Sequence, residues 1–554
     1  MRAENARLWW ALAAAIILQS FILYYQRNYG ALVGLIPWDD CAIVLRALEN
    51  LDKLAQAHSL WHMLVAALHV DIHAPVSDIQ VIAGLLLAGG ALWGPYALDI
   101  ICLCIAIYAL STTVALKDPV VFGTSVLFLL VQPITFRALA ELKSDWQGGV
   151  LLAAALFVLF DAAEENNDHA RTLGAALLGL MLITKLTAFY LPVLALGVFF
   201  VFEFYGALKH ELAAIDAPNL SQAAWKGAFA RLGGSARQGT MCVALILVPY
   251  LLFFYQSHKA LLAYIQESLG SVRGADGFTM FERFLYYSPF DGKSPPWAGH
   301  FALWGGLHFM FLIFLVASLI AALLKRAWLH VLACTGVLPV AAVFLVPLVL
   351  GHFSNLTFGA PFMGAIMGGT LIFLRIFIAN TPRWGALVAP IVVLALALPS
   401  AVPLSPPRDL VGTPVGRVEL EHYQSIYDDM VGAIASRETS AQPKVVFTFD
   451  HSLMPYPNLS IRYFQRTGHF LSVDRIDDFA DHDAETLLAG ANFMVTITPT
   501  GEARTVPNLF RNKPTSADPA LGDARVRESG RYGLIARYQV QGGEIRLYQA
   551  GAPR

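Results

Sequence analysis

LWWALAAAIILQSFILYY, residues Leu8–Tyr25, is an apolar stretch long enough to cross a membrane, since a spanning helix needs about 20 such residues. An aromatic pair stands near each end, Trp9-Trp10 and Tyr24-Tyr25, as is typical of residues at a membrane–water interface. Basic residues precede the stretch, and no small-x-small cleavage pattern precedes Gln26-Arg27. We therefore predict a retained signal anchor.

The composition of the whole chain agrees with a membrane protein. The 554 residues are 56% hydrophobic and 14% charged, and the mean hydropathy is +0.56, so membrane lipids are expected to surround it. The net charge is −2 and the basic residues are scattered, which excludes a nucleic-acid partner. The five cysteines show neither a disulfide framework nor zinc-ligand spacing.

Further apolar runs predict about eleven transmembrane helices, with the amino terminus inside. After the first, the spans are placed near residues 96–116, 120–137, 146–161, 172–186, 188–204, 239–256, 301–323, 328–350, 356–378 and 384–403. Residues 79–93 are apolar but short and contain Gly89-Gly90. They are predicted to form an interfacial or re-entrant helix that does not span.

Two domains are predicted: residues 1–403 form a transmembrane domain with a first outer loop at 26–78, and residues 404–554 form a soluble domain. A proline-rich, polar stretch after Pro399 marks the boundary. Hydrophobic periodicity in the tail predicts strands at Lys444–Phe449 and Phe493–Thr498 and short helices at Leu459–Thr467 and Ala484–Ala489. It also predicts a hairpin at Leu534–Tyr548 that turns at Gly542-Gly543. The fold class is thus a polytopic α-helical membrane protein with a small outer α/β domain.

An acidic pair, Trp38-Asp39-Asp40, lies in the first outer loop between apolar residues. Two carboxylates near a membrane surface are costly unless water, a cation or a substrate stabilises them. Residues Cys41–Leu54 have an apolar face, which predicts an amphipathic helix at the interface that holds the pair near the membrane. Simple solvation of a loop is the alternative.

Other polar residues return to the same predicted membrane face. Asp145 opens a span, Lys185 lies between two apolar helices, and His73 and His352 lie in outer segments. Each also has a structural explanation: Asp145 favours a helix amino terminus, Lys185 extends to the interface, and histidines are ordinary at interfaces. Together, they predict a polar cavity at one interface.

The outer loop between residues 257 and 300 carries basic and aromatic side chains, among them Arg273, Tyr286 and Tyr287. Such residues suit a mobile cover over a lipid-phosphate or sugar site. Tyrosines equally serve as interfacial anchors. Both interpretations stay open.

The motifs resemble those of the membrane-embedded GT-C glycosyltransferases, especially the group of protein O-mannosyltransferases and the lipid A aminoarabinose transferase. The resemblance covers roughly residues 8–378 and rests on five motifs, namely Trp38-Asp39-Asp40, His73-Ala74-Pro75, Ser144-Asp145, Thr184-Lys185-Leu186 and His352-Phe353 with Pro361-Phe362. These relatives commonly have Asp-Glu in the first loop and Arg or Lys at the late position, where this chain has Asp-Asp and His352.

The resemblance implies transfer of a sugar from a polyprenyl-phosphate donor to a lipid, glycan or protein acceptor, with inversion in a single displacement. Asp39 or Asp40 would be the general base. Asp145 would position the acceptor or, with Asp40, a divalent metal ion. The donor phosphate would be bound by Lys185, Arg273 and His352, and the substrates by His73, Tyr286 and Tyr287.

Two other classes of protein share some of these features. A lipid or glycan transporter or flippase also needs many helices, but repeated halves and charges at mid-depth are its usual signs, and neither is evident here. A receptor or assembly factor that binds a partner through its tail is the third class. The expected location is a bacterial inner membrane, with the active site facing the periplasm.

Overall fold

The computed structural model of the chain describes residues 2–29, 32, 38–56, 58–59, 61–62, 75–113, 117–184, 190–215, 221–234, 236–270, 279–287, 306–350, 359–397, 416–437, 443–449, 454–476, 482–499, 519–540 and 542–551. In chain order, its first helices are α1 (Arg2–Tyr29), α2 (Trp38–Ala55), α3 (Pro75–Leu87), α4 (Trp93–Leu98), α5 (Ile100–Ser111), α6 (Pro119–Leu130), α7 (Pro133–Ala140), α8 (Ser144–Glu165), α9 (Asp168–Thr184), α10 (Leu191–Ala214), α11 (Gln222–Gly234) and α12 (Ala236–Gly270).

The later elements include all the strands of the structure's described part. The helices are α13 (Met280–Tyr287), α14 (Leu307–Leu324), α15 (Trp328–Leu350), α16 (Ala360–Asn380), α17 (Arg383–Ala386), α18 (Val388–Ala397), α19 (Arg417–Arg437), α20 (Pro457–Thr467), α21 (His482–Gly490) and α22 (Pro519–Glu528). The strands are β1 (Lys444–Phe447), β2 (Ser472–Arg475), β3 (Phe493–Pro499), β4 (Tyr532–Val540) and β5 (Gly543–Ala550).

The predicted class, a helical membrane protein with a C-terminal α/β domain, is confirmed. Within the described residues, eight helices are long and apolar enough to cross a membrane, or nine if one bent pair counts as a span. This is fewer than the eleven predicted. The spans near 120–137, 172–186 and 384–403 account for the difference, since they correspond to the bent pair, to the short α9, and to the short helices α17 and α18.

The bend in the predicted span 120–137 has a local cause. Helix α6 ends at Leu130, and α7 starts again with Pro133 at its first position, at an angle of 59°. Proline has no N–H to continue the hydrogen-bond ladder and its ring crowds the preceding turn. The predicted segment 79–93 does not form one continuous helix either. Helix α3 ends at Leu87, before Gly89 and Gly90, whose φ angles are +62° and +87°.

The chain divides into two compact units. Unit 1 comprises Met1–Ser20, Leu68–Ser77 and Ala97–Pro403, and unit 2 comprises Phe21–Ala67, Asp78–Tyr96 and Leu404–Arg554. Much of the first outer loop thus groups with the C-terminal residues. The predicted domains, residues 1–403 and 404–554, stay a prediction.

Helix α8 is the central element of unit 1. It packs against α5, α7, α9, α10 and α16, and all the residues from Trp146 to Ala163 are buried. The sequence explains this, since a helix that is apolar on every side is stable only when neighbours surround it. Small residues such as Gly148 and Gly149 allow close approach of those neighbours.

In unit 2 the C-terminal residues form a five-stranded sheet in the order β2-β1-β3-β5-β4. Strand β1 pairs in parallel with β2 and β3, and β5 pairs antiparallel with β3 and β4. The strand, helix and hairpin segments predicted in the tail are confirmed, including the turn at Gly542, whose φ is +81°. Helices α19 and α20 cover one face and α21 and α22 the other, because apolar residues alternate along the strands.

A buried carboxylate joins α22 to this sheet. Asp523 is 1% exposed and accepts hydrogen bonds from Thr496, Tyr548 and Arg546 at 2.7, 2.8 and 2.6 Å. Burial disfavours the charged form, but these hydrogen bonds and the charges of Arg546 and Arg527 outweigh it. They hold the pKa of Asp523 below its ordinary value.

Stability of the α/β domain is therefore expected to fall in acid. A carboxyl whose folded pKa is lowered contributes stability that is fully present above its unfolded pKa, about 3.9, and is lost as the pH falls through the folded value. Asp523→Asn should cost about 1–3 kcal/mol at neutral pH and flatten the decline below about pH 4. Thermal unfolding of the full chain measures both effects, with the half-exposed Asp474→Asn as control. An unchanged acid profile would contradict the assignment.

Candidate functional site

The first turn of α8 carries Asp145, which is partly buried. The turn follows Lys143 in the N-cap position, and a carboxylate there is favoured by the unpaired N–H groups of the helix amino terminus. The expected capping environment is thus present.

Polar contacts fix this end of α8 from two sides. Gln147 donates through Nε2 to Oδ1 of Asp99, at the start of α5, over 2.8 Å, and both side chains are buried. Trp146 donates through Nε1 to Glu141 over 2.9 Å, and the guanidinium of Arg137 lies 5.1 Å from the centre of the Trp146 ring. Buried polar groups with good partners favour a single arrangement, so the backbone beside Asp145 is held in place.

The ends of two other helices meet α8 immediately after Asp145. A Cβ on Gly148 would lie 2.9 Å from Oγ1 of Thr184, the last residue of α9. A Cβ on Gly149 would lie 2.7 Å from the carbonyl oxygen of Ala360, the first residue of α16. The chain continues from Thr184 directly into Lys185 and reaches Ala360 from the segment containing His352. The helix ends that border these two segments therefore contact the first turns of α8.

The contact between α8 and α16 leads to a stability prediction. A Cβ on Gly364 would lie 2.4 Å from the carbonyl oxygen of Gly149, so Gly149→Ala and Gly364→Ala should each destabilise unit 1 by about 1–3 kcal/mol. Thermal unfolding in detergent measures this. Gly197→Ala in α10 is the matched control, since a Cβ there meets nothing within 4 Å. Equal midpoints for all three variants would contradict the predicted overpacking.

The second part of the candidate site belongs to unit 2. Asp40, in the first turn of α2, is fully buried, and its Oδ2 accepts a hydrogen bond from Tyr96 at 2.8 Å. The predicted helix at Cys41–Leu54 is confirmed, with bounds Trp38–Ala55. It packs against α20 of the C-terminal domain. Among its described side chains only Glu49 and Lys53 are exposed.

The remaining predicted site residues have different outcomes. Tyr287 is 1% exposed, at the end of α13, which packs against α15. The side chains of Asp39 and Tyr286 lie outside the described residues, as do His73, Lys185, Arg273 and His352 altogether. Asp145 belongs to unit 1 and the acidic pair to unit 2, so their convergence stays a prediction. The described residues contain no group of three or more His, Cys, Asp or Glu side chains that could hold a metal ion, and the divalent ion also stays a prediction.

Several polar partners in the site were not singled out by the sequence. Tyr96, Asp99 and Gln147 each look like an ordinary residue in or beside an apolar run. Their partners are 45 or more residues away in the chain. The sequence signal that could have identified Asp99 and Gln147 is their polarity in or beside a membrane span, since such residues usually face a partner inside the protein.

The comparisons with known proteins concern the fold. No family model matches the sequence, and no curated protein does. Among solved structures, the chain is similar to an archaeal oligosaccharyltransferase and to ArnT. The oligosaccharyltransferase AglB of Archaeoglobus fulgidus, in complex with an inhibitory peptide and a dolichol-phosphate, is 12% identical, with a TM-score of 0.45 over 97% of this chain and 74% of that chain.

ArnT from Cupriavidus metallidurans, bound to undecaprenyl phosphate, is also 12% identical, with a TM-score of 0.42 over 97% of both chains. A further structure of the archaeal enzyme, in complex with Zn and sulfate, has 10% identity and a TM-score of 0.45 over 88% of this chain and 67% of that chain. At these values no residue role passes from either protein to this chain.

Proposed function

We propose that the protein is a membrane glycosyltransferase of the GT-C type, which moves a sugar from a polyprenyl-phosphate donor to an acceptor hydroxyl on the extracytoplasmic side. The acceptor is a lipid, a glycan or a protein. One observation carries the proposal: the first turns of α8, beside Asp145, contact Thr184 of α9 and Ala360 of α16. In the sequence, Lys185 directly follows the first of these residues and His352 precedes the second by eight positions.

The proposed reaction needs these residue types. As the acceptor oxygen bonds to the anomeric carbon, its proton passes to a carboxylate, and the bond from that carbon to the phosphate oxygen breaks. The phosphate leaves with its negative charge, which Lys185, Arg273 and His352 would stabilise. Because acceptor and leaving group lie on opposite faces of the carbon, the anomeric configuration inverts.

Within the acidic pair, we assign the general base to Asp39. The carboxylate of Asp40 is fully buried and already accepts a hydrogen bond from Tyr96, which makes it a poor candidate to meet an acceptor. Asp145 would orient the acceptor. A divalent ion bound by Asp40 and Asp145 would supply Lewis acidity, but no step above depends on one.

A transfer assay with purified protein tests the proposal. Undecaprenyl phosphates that carry a radiolabelled hexose or pentose would be incubated with inner-membrane lipid, glycan and protein fractions. The expected result is label in one fraction together with free undecaprenyl phosphate. If the labelled lipid instead crosses a proteoliposome membrane intact, the protein is a flippase and the proposal is wrong. Addition of EDTA to the same assay determines whether a divalent ion is needed.

A further inference from the structure

Helix α2 is attached to α3 by an ion pair within unit 2. The guanidinium of Arg46 donates from Nε and Nη2 to the two carboxylate oxygens of Asp78, at 2.7 and 2.6 Å. The side chain of Arg46 is 12% exposed and that of Asp78 is 2% exposed. A two-bond contact of this kind fixes orientation as well as distance, because both partners are planar.

A second attachment holds α2 near its first residue. Tyr96, in α4, is fully buried and donates its hydroxyl proton to Asp40 over 2.8 Å. Arg46 follows Asp40 by about 9 Å along the helix axis and is rotated from it by about 120°. Two attachments at different heights and on different sides of α2 prevent it from sliding and from rotating.

The two attachments come from helices that are themselves in backbone contact. A Cβ on Gly84, in α3, would lie 2.3 Å from the nitrogen of Pro95, in α4, and a Cβ on Gly94 would lie 2.1 Å from the carbonyl oxygen of Gly84. Positive φ angles at Gly89 and Gly90 allow the turn between them. Helices α3 and α4 therefore act as one support for α2.

We propose that Arg46, Asp78 and Tyr96 form a clamp that positions the acidic pair Asp39-Asp40 for catalysis. The proposal rests on the proposed function. A buried ion pair adds little net stability compared with apolar packing of the same volume, so fixed geometry is the better explanation for one at this place. The three clamp residues touch no reacting atom and act through the helix that carries the pair.

The test compares clamp variants in the transfer assay of the purified full chain. Arg46→Gln and Asp78→Asn should each lower kcat at least tenfold and change the donor KM less than threefold, since the clamp orients the acidic pair and does not bind the donor. The charge exchange Arg46→Asp with Asp78→Arg should restore at least part of that loss. Lys444→Gln with Asp474→Asn removes a more exposed ion pair of unit 2 and should leave kcat unchanged.

Tyr96→Phe keeps the shape of the clamp and removes only its hydrogen bond. Because the bond joins Asp40 to α4, its loss should lower kcat while the donor KM changes less than threefold. If Asp39→Asn is inactive while kcat is unchanged in all clamp variants, the clamp proposal is wrong and the proposed function stands. If Asp39→Asn is fully active, the proposed function itself is wrong, whatever the clamp variants show.

Discussion

Asp39→Asn is expected to lower kcat for sugar transfer by about 10²–10⁴-fold, the usual contribution of a positioned general base. Asparagine keeps the size and polarity of the side chain but cannot accept the acceptor proton. The donor KM should change little, because donor contacts are assigned to other residues. Initial rates of label transfer at saturating acceptor measure kcat, and binding of unlabelled undecaprenyl phosphate verifies that the donor site is intact.

Two matched variants make this prediction specific. Glu49→Gln removes an exposed carboxylate from the same helix and should be as active as the wild type. Asp145→Asn should also lower kcat, and it should raise the acceptor KM if Asp145 orients the acceptor. Equal rates for Asp39→Asn and Glu49→Gln would exclude Asp39 as the base, whatever the other carboxylates do.

The parts of the fold that follow from the sequence are those with a strong local pattern. Apolar runs locate the long helices, and alternation with glycine turns locates β3 and the hairpin of β4 and β5. Strand β2, with the sequence SVDR, and helix α22, with the sequence PALGDARVRE, lack such a pattern. Their places depend on neighbours: pairing with β1 in the first case, and the contacts of Asp523 with the sheet in the second.

The candidate site also has features that follow from the sequence and features that do not. Asp145 at the start of a buried helix and the helix after the acidic pair follow from motifs and periodicity. The pairing of Arg46 with Asp78 does not, since both look like solvated residues of an outer loop until the chain folds. Close approach of α8 and α16 at Gly149 and Gly364 is equally hidden, because it depends on the partner backbone.

The second large effect, a loss of stability, is expected at the end of α8 that lies away from Asp145. Asp161 is fully buried and forms an ion pair with Arg375 of α16, whose guanidinium also lies 5.6 Å from the centre of the Phe160 ring and 3.2 Å from Glu165. Asp161 lies about 24 Å from Asp145 along α8, a distance close to the thickness of the hydrocarbon core. The pair thus fixes the register of the helix that carries Asp145.

Arg375→Met should destabilise unit 1 by about 3–5 kcal/mol, because it leaves the charge of Asp161 buried beside an apolar side chain. The double variant Asp161→Leu with Arg375→Met removes both charges and should recover most of that loss. Thermal unfolding of the purified chain in detergent measures both, with Arg326→Met, an exposed arginine after α14, as control. A double variant no more stable than Arg375→Met would show that the loss arises from packing and not from an unpaired charge.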